Sequence, residues 1–174
     1  MKIVSIDPGL RNMAFCVMQD GQVVWLERVD LFDGAAITPD DVFGRIAAWC
    51  DAHADTLNSA DVVVIERQFC NEKHKLSMCL MQIQTVLQVF SRNKHLLVHA
   101  ATIKKRYGTA RCKHRQNKEA AVECVRRLYP EIDAHKGKID DLCDAYLLAH
   151  YALTTFSKSF LNSLTKFSNG ECKA

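Results

Sequence analysis

The chain of 174 residues has room for one domain with one hydrophobic core, and its 48% apolar content is sufficient for a folded globule. The net charge of +3 is only mildly basic, so any affinity for nucleic acid has to depend on where the cations lie. No apolar run approaches the length that crosses a bilayer, which argues against a helical membrane protein.

The cysteines and the first residues indicate a cellular compartment. The eight cysteines are scattered without a Cys-x-x-Cys pair, and the MKIVSID start lacks the charged and apolar pattern of a secretory leader. We therefore expect free thiols in an intracellular, reducing compartment. Structural zinc requires paired ligand clusters, which neither Cys70 with His74 nor Cys112 with His114 provides, so incidental cysteines are favoured over a zinc site.

The first part of the chain predicts three strands and a helix. The Asp20-Gly21 pair is typical of a two-residue hairpin turn between the second strand and the third. The run Thr38-Pro39-Asp40-Asp41 has the features of a helix start, and this helix should extend to about residue 57. The three strands are predicted at residues 2–6, 13–18 and 22–31.

The rest of the chain alternates strands with helices. The continuous apolar run at 61–66 predicts a strand that is buried on both faces. An antiparallel meander followed by crossover helices predicts an α/β fold with a mixed five-stranded sheet and helices on both faces, in one domain over 1–156. Residues 157–174, rich in Ser, Lys and Asn, are expected to be a loosely ordered tail. The remaining elements are a helix at 72–92, a strand at 96–101, and helices at about 117–129 and 139–156.

Two acids lie at positions where burying an ionised carboxylate costs free energy. Asp7 and Glu66 each end a strand that the sequence predicts to be buried, and an ionised carboxylate needs compensation there. Sites in α/β sheets lie beyond the carboxyl ends of the strands, so adjacent strands would bring the two acids together. Like charges at that distance require a cation, and oxygen ligands favour Mg²⁺ or Mn²⁺.

A further group of acids begins the last predicted helix. Asp141 and Asp144 are three residues apart and share one helical face, whereas Asp140 points about 100° away. Taken alone, Asp140, Asp141 and Asp144 are ordinary acids of a helix start, where the helix dipole favours them. Likewise, Asp7-Pro8-Gly9 taken alone is often only a turn. Together, Asp7, Glu66, Asp141 and Asp144 could supply a site for two metal ions, which activate a water and stabilise the leaving oxygen of a phosphodiester.

Three segments resemble the RuvC-type Holliday-junction resolvases: Ile6-Asp7-Pro8-Gly9, the run from Val63 to Phe69 (VVIERQF), and Asp141-Leu142-Cys143-Asp144-Ala145. The resemblance extends to about residue 152, with the same order and similar spacing. It implies an RNase H-like fold, a two-fold homodimer, paired incision of four-way DNA junctions, and Asp7, Glu66, Asp141 and Asp144 as the metal ligands.

The segment after the first turn points to a subgroup of that family. Arg11-Asn12 looks closer to the resolvases of large DNA viruses, of the poxvirus and iridovirus kind, than to the bacterial ones. Ala14 departs mildly from the family, in which a glycine is common just downstream of the turn. A viral protein of this kind would act where viral DNA is replicated in the host cell.

A cluster of cations follows the fifth predicted strand. Residues 104–118 hold seven cations and no acid, which is typical either of a solvated loop or of a phosphate-binding patch. Since the rest of the chain is nearly neutral, the phosphate-binding interpretation is favoured. Lys118 falls at a predicted helix start, and the resemblance implies that a lysine near this position supports the scissile phosphate; Lys105 is the second choice. The candidate DNA-binding cations are Lys104, Lys105, Arg106, Arg111, Lys113, Arg115 and Lys118.

Two apolar features allow more than one interpretation. Phe69 on its predicted loop is either a buried aromatic or an exposed ring that stacks on an unpaired base, and the family's strand-separating aromatic falls at a similar place. The predicted helix at 72–92 is apolar over more than one face, which indicates a second, self-complementary surface. Met81 is the first candidate for a residue on that dimer surface.

Three competing functions remain. Another RNase H-like nuclease acting on RNA or an RNA–DNA hybrid would carry a similar acid set, and substrate preference would separate it. A kinase-like ATPase also has an Asp-x-Gly turn after its first strand, but it needs two lobes, and this chain has room for one. A non-catalytic DNA-binding module would have no need of a complete set of acids.

Overall fold

The computed structural model describes residues 1–70, 75–92, 94–111 and 113–156, and within them one mixed sheet has helices on both faces. The strands are β1 (Lys2–Asp7), β2 (Met13–Gln19), β3 (Gln22–Val29), β4 (Val62–Glu66) and β5 (His95–Val98). The helices are α1 (Pro39–Ala52), α2 (Ala54–Asn58), α3 (Lys75–Phe90), α4 (Ala100–Arg106), α5 (His114–Leu128) and α6 (Asp140–Thr155), with a 3₁₀ turn at Pro130–Ala134.

The strand order in the described part of the chain is β3-β2-β1-β4-β5. The first three strands form an antiparallel meander, whereas β4 and β5 run parallel to β1. Asp20 and Gly21 both have positive φ, 51° and 87°, as the two-residue hairpin turn requires. The predicted mixed five-stranded α/β architecture is therefore confirmed.

The sheet separates two hydrophobic clusters, one on each face. Side chains alternate along β4, so that Val62 and Val64 belong to one cluster while Val63 and Ile65 belong to the other. Helices α5 and α6 cover the first face, and α1 and α3 cover the second. The continuous apolar run of β4 thus reflects burial on both sides of the sheet.

Several element boundaries differ from those predicted. The first helix ends at Ala52, after which the short α2 takes a separate course, because His53 leaves helical geometry. The fifth strand ends at Val98, and α4 begins within the predicted strand at Ala100. Helix α5 begins at His114, three residues earlier than predicted, so Lys118 lies in its second turn rather than its first.

Two sequence predictions fall wholly or partly outside the described residues. The first residues of the predicted helix at 72–92 lie outside them, and the described part of that helix is Lys75–Phe90. The predicted tail at 157–174 also lies outside them. Among the helices of the described chain, none is long and apolar enough to cross a membrane.

Candidate active site

Strand pairing brings Asp7 and Glu66 to the same edge of the sheet. Strands β1 and β4 are parallel neighbours, with Ile6 in register with Ile65, so the residue that follows each of them ends its strand beside the other. The turn after Asp7 requires Gly9, because a Cβ there would lie 2.8 Å from the backbone of Asn12. The turn that begins with Asp7-Pro8-Gly9 therefore leads the chain back into β2, which pairs antiparallel with β1.

Helix α6 brings the other acids to this edge. It packs across β1 and β2, and the buried Ser5 hydroxyl of β1 donates a 2.6 Å hydrogen bond to the carbonyl oxygen of Ala145. This hydrogen bond fixes the N-terminal part of α6 relative to β1 at Ala145, the residue that follows Asp144. Ser5 is not among the residues predicted from the sequence, although a single hydroxyl within an apolar strand is a visible signal of such a contact.

The predicted acids meet at one cavity of about 220 Å³. Asp7, Glu66, Asp141 and Asp144 all line it, whereas Asp140 does not. Asp141 and Asp144 thus share the helical face that points into the cavity, and Asp140 lies on another face of α6. Other polar residues that line the cavity are Lys104, Lys118, Thr109 and Asn117.

Asp140 is nevertheless not an ordinary exposed acid. Its side chain is buried, with 8% of the residue exposed, and it accepts a hydrogen bond from the Lys118 ammonium group. The Lys138 ammonium lies 3.3 Å from the same carboxylate oxygen. Burial raises the pKa of Asp140, but these two cations outweigh burial and hold the pKa below its ordinary value. Asp140 therefore lies in the first turn of α6 and points away from the cavity, as predicted, but burial and its two cations distinguish it from an ordinary first-turn acid.

Asp7, Glu66 and Asp144 carry a different electrostatic signature. Burial, and after it the charges of the neighbouring carboxylates, raise the pKa of Asp7 well above its ordinary value. Burial and the charge of Asp144 raise the pKa of Glu66 to about 7. Burial raises the pKa of Asp144 to about 6, although nearby ammonium groups oppose it. The cavity thus holds more negative charge than its own cations compensate.

Lys118 and Lys104 supply part of that compensation. Burial lowers the pKa of Lys118, but its hydrogen bond to Asp140 and the charge of Asp141 outweigh burial and raise it. The Lys118 Nζ also lies 3.5 Å from Oδ1 of Asp141. The charge of Lys104 lowers the pKa of Glu66 and that of Asp144, although burial prevails in both.

The donor set fits a hard divalent cation. It consists of carboxylate oxygens, without a thiol or imidazole, which is the chemistry that Mg²⁺ and Mn²⁺ prefer. In the present side-chain arrangement, no group of three or more possible ligands among the described residues is close enough to hold an ion. The carboxylates would therefore have to move together around an ion, and the raised pKa of Asp7, Glu66 and Asp144 shows that their charges would gain from one.

The predicted basic patch divides into separate parts. Lys104 and Lys118 face the acids, while Lys105 and Arg106 line a different groove beside Tyr151 at the other end of α6. Arg111 donates to the carbonyl oxygens of Gly108 and Ala110 in its own loop. The Arg115 side chain pairs with Glu119 one turn along α5, and Lys113 is exposed. These cations therefore do not form a single continuous patch.

Phe69 is exposed, with 61% of the residue accessible, so the buried interpretation is wrong. Its ring centroid lies 5.0 Å from that of His99, which follows the neighbouring strand β5. The Nη1 of Arg67 is 3.3 Å from the Nε2 of His99. The Phe69 ring thus packs against His99, which in turn contacts Arg67, at the edge of the sheet that carries Glu66.

Arg11 has a structural explanation. Its guanidinium pairs with Asp30 at 3.0 Å and donates to the carbonyl oxygen of Ala35, which fastens the loop after β3 to the turn after β1. The amide of Leu31 also donates to the carbonyl oxygen of Leu10, at 3.0 Å. Arg11 therefore supports the first turn from behind and does not line the acid cavity.

No protein-family model and no curated protein sequence matches this chain. Solved structures do match it. Thermus thermophilus RuvC in complex with a Holliday-junction substrate is 17% identical, with a TM-score of 0.64 over 89% of this chain and 96% of that one. Another T. thermophilus RuvC structure is 18% identical, with a TM-score of 0.61 over 88% and 96%. The yeast mitochondrial Holliday-junction resolvase Ydc2 is 16% identical, with a TM-score of 0.55 over 96% and 82%. The chain therefore has the RNase H-like fold that these proteins share.

Proposed function

We propose that this protein is a divalent-metal-dependent endonuclease that resolves four-way DNA junctions. The observation that carries the proposal is the meeting of Asp7, Glu66, Asp141 and Asp144, from three distant segments, at one cavity of a fold shared with junction resolvases. A non-catalytic DNA-binding module has no use for several crowded carboxylates whose pKa values are raised.

The acids would hold two Mg²⁺ ions, for which Mn²⁺ could substitute. When bound, such a pair supplies an activated water and charge stabilisation for the leaving oxygen of a phosphodiester. The protein's own part is to hold the carboxylates on β1, β4 and α6, and the Ser5 bond fixes α6 relative to β1. Lys118, beside the acids, would contact a non-bridging oxygen of the scissile phosphate.

DNA would approach the cavity along the cations. Lys104 lies at the cavity itself, and Lys105 and Arg106, exposed on the same short helix, extend the basic surface toward the groove beside Tyr151. Phosphates bound there would position the strand without reading its sequence. Arg111, Lys113 and Arg115, exposed near the start of α5, would contact a more distant part of the same DNA.

Phe69 would stack on a base at the unpaired centre of the junction. It is exposed, it stands three residues beyond Glu66, and its ring is backed by His99. An exposed aromatic ring beside a nuclease site can hold an unstacked base with little sequence preference.

A second copy of the chain would complete the enzyme. The outer face of α3 exposes Met78 and Val89, and Met78 and Met81 line an apolar hollow together with Phe43 of α1. A four-way junction has approximate two-fold symmetry, so a homodimer formed through this surface would offer one site to each of two strands.

The sequence supplies two further parts of the proposal. The Arg11-Asn12 pair favours a relation to the resolvases of large DNA viruses, in which case the protein acts where viral DNA is replicated. Its six cysteines within the described residues are free, as suits a reducing intracellular compartment. A family tree built from viral, mitochondrial and bacterial resolvases would test the viral relation.

The decisive experiment uses the purified protein, a labelled immobile four-way junction and Mg²⁺. We expect symmetric nicks in two strands of like polarity, with ends that a ligase can rejoin. A linear duplex and an RNA–DNA hybrid of the same sequence serve as control substrates, and EDTA serves as the metal control. Cleavage of the hybrid in preference to the junction would assign the site to another nuclease class, and cleavage in EDTA would exclude the metal mechanism.

A further inference from the structure

We propose that Asp140 is a positioning residue that holds the Lys118 ammonium beside the metal-binding acids. This inference rests on the proposed nuclease function. Lys118 comes from the second turn of α5, and its Nζ donates to Oδ2 of Asp140 while it lies 3.5 Å from Oδ1 of Asp141. The ammonium is thus placed between an acid that lines the cavity and one that does not.

The burial of Asp140 indicates that this pair has a purpose beyond the helix dipole. A first-turn acid gains from the dipole while it is fully solvated, whereas Asp140 is 8% exposed and its Oδ1 is buried with no hydrogen-bond partner among the described residues. Burying a carboxylate is costly unless a cation is close. Lys118 is that cation, with Lys138 in support at 3.3 Å.

The position of Asp140 on α6 explains what the pair achieves. Successive residues of a helix point about 100° apart, so Asp140 and Asp141 reach Lys118 from different sides. Asp140 provides the permanent counter-ion, which leaves the Asp141 carboxylate available for a metal ion. Without Asp140, Lys118 would keep only its longer contact of 3.5 Å with Asp141, and its flexible side chain would be free to leave its place beside the acids.

The first test asks whether the pair exists in solution, and it does not depend on activity. Metal-free protein is treated with a low concentration of an amine-reactive ester, and the labelling rate of each lysine is followed by mass spectrometry. We expect Asp140→Asn to raise the labelling rate of Lys118 and to leave that of Lys2, which donates to Ser59, unchanged. Equal labelling of Lys118 in the two proteins would overturn the proposal.

The second test asks whether the pair serves catalysis. Under single turnover, we expect Asp140→Asn to cleave the junction about tenfold to a hundredfold more slowly, because a misplaced group near the reacting atoms costs this much. The junction Kd should change little. Lys118→Met should be at least as slow, and the double variant should be no slower than Lys118→Met alone, because the two residues act as one unit. Additive losses would contradict the positioning role.

Matched variants separate positioning from loss of fold. Lys94→Met removes a lysine that does not line the cavity and whose Nζ donates to the carbonyl oxygen of Asn58, and it should keep the cleavage rate within about twofold of the native rate. Asp140→Glu keeps the charge and should recover part of the rate lost in Asp140→Asn. If Asp140→Asn does not fold, the comparison of Asp140→Glu with Lys118→Met decides. A native cleavage rate in Asp140→Glu together with raised labelling of its Lys118 would then count against the proposal.

The two tests distinguish the failure of this inference from failure of the proposed function. Raised Lys118 labelling in Asp140→Asn, with native protein that cleaves no junction, would leave the pair standing and refute the resolvase. A native protein that resolves junctions, with Asp140→Asn at the native rate, would refute the positioning role alone.

Discussion

The two faces of the sheet differ in what they bury. The face covered by α5 and α6 buries polar groups such as Ser5, Asp140 and Asp141 close to the edge of the sheet, and each contacts a partner across elements. The face covered by α1 and α3 buries mostly apolar side chains and leaves further apolar ones exposed on its outside. Buried charge is retained where chemistry needs it, whereas an exposed apolar surface is typical of an interface. This difference is consistent with our proposal that the first face carries the chemistry and the second face the assembly.

The largest expected effect is on the chemical face. Asp7→Asn, Glu66→Gln, Asp141→Asn and Asp144→Asn should each reduce junction cleavage by at least about a thousandfold, since each would remove a ligand of the proposed metal ions. Junction binding should remain, and the metal-free variants should melt no lower than the native protein, because repulsion between the acids is relieved. A single-turnover cleavage assay and a gel-shift assay measure cleavage and binding.

The matched control is an acid of the other face. Asp51 is exposed on α1, so Asp51→Asn changes the same charge without touching the cavity and should cleave at the native rate. Native turnover in any of the four cavity variants would refute the assignment of that acid.

A smaller effect is expected from breaking the assembly face. Met78→Glu and Met81→Glu should give folded monomers, because a charge at a two-fold contact meets its own copy. Met78 is the sharper choice, since 55% of it is exposed whereas Met81 is partly buried. The monomer should nick one strand and accumulate singly cut junctions. Light scattering gives the oligomeric state, and a cruciform plasmid separates single nicks from paired cuts.

Val24→Glu is the control for this comparison. Val24 is also an exposed apolar residue, 60% accessible, but it lies on β3. Its replacement should leave the oligomeric state unchanged. A native protein that is monomeric at micromolar concentration and still makes paired cuts would disprove the dimer.

The third prediction concerns pH. The folded-state pKa values of Glu66, about 7, and Asp144, about 6, lie above those of the unfolded chain, as does that of Asp7. Between about pH 4 and pH 7 these three acids therefore bind more protons in the folded metal-free protein than in the unfolded chain, and their contribution to stability falls as pH rises. Burial lowers the pKa of His95 and of His150, so these two residues contribute in the opposite direction.

The measurement is thermal unfolding of metal-free protein from about pH 5 to pH 8. The melting temperature should decrease by about 2–4 °C for each kcal/mol of stability lost. Mg²⁺ or Mn²⁺ should raise it more at the alkaline end of this range than at the acidic end, where protons compete for the carboxylates. In Glu66→Gln the decrease should be smaller. If Glu66→Gln and the native protein showed the same dependence of melting temperature on pH, Glu66 would not be crowded by the other acids in solution.

Local patterns in the sequence were sufficient to predict most of the fold. The continuous run of β4 predicted a doubly buried strand, and Asp20-Gly21 predicted the hairpin, because each pattern depends on neighbouring residues alone. Contacts across elements could not be predicted in this way. The bond between Ser5 and Ala145 joins residues 140 apart, and the pairing of Asp140 with Lys118 depends on how α5 packs on α6.

The same limit explains the basic patch. A run of cations shows that charge is concentrated along the chain, but a helix distributes successive residues around its axis. Lys104 therefore faces the acids while its neighbour Lys105 lines another groove. The exposure of Phe69 could not be predicted for a related reason, since periodicity does not assign exposure within a loop.

The smallest expected effect ranks the cations by how much each contributes to DNA binding. Replacing Lys104, Lys105 and Arg106 together by alanine should weaken junction binding and flatten its dependence on salt, by about 0.9 in the logarithmic slope for each phosphate that the variant no longer neutralises. Arg115→Ala should change the slope less, because its guanidinium already pairs with Glu119. Binding measured between about 50 and 200 mM salt gives the slopes. If the triple variant retained the native slope while Arg115→Ala flattened it, the DNA would cross the start of α5 instead of α4. The surface proposed to bind DNA would then have to be placed at the start of α5.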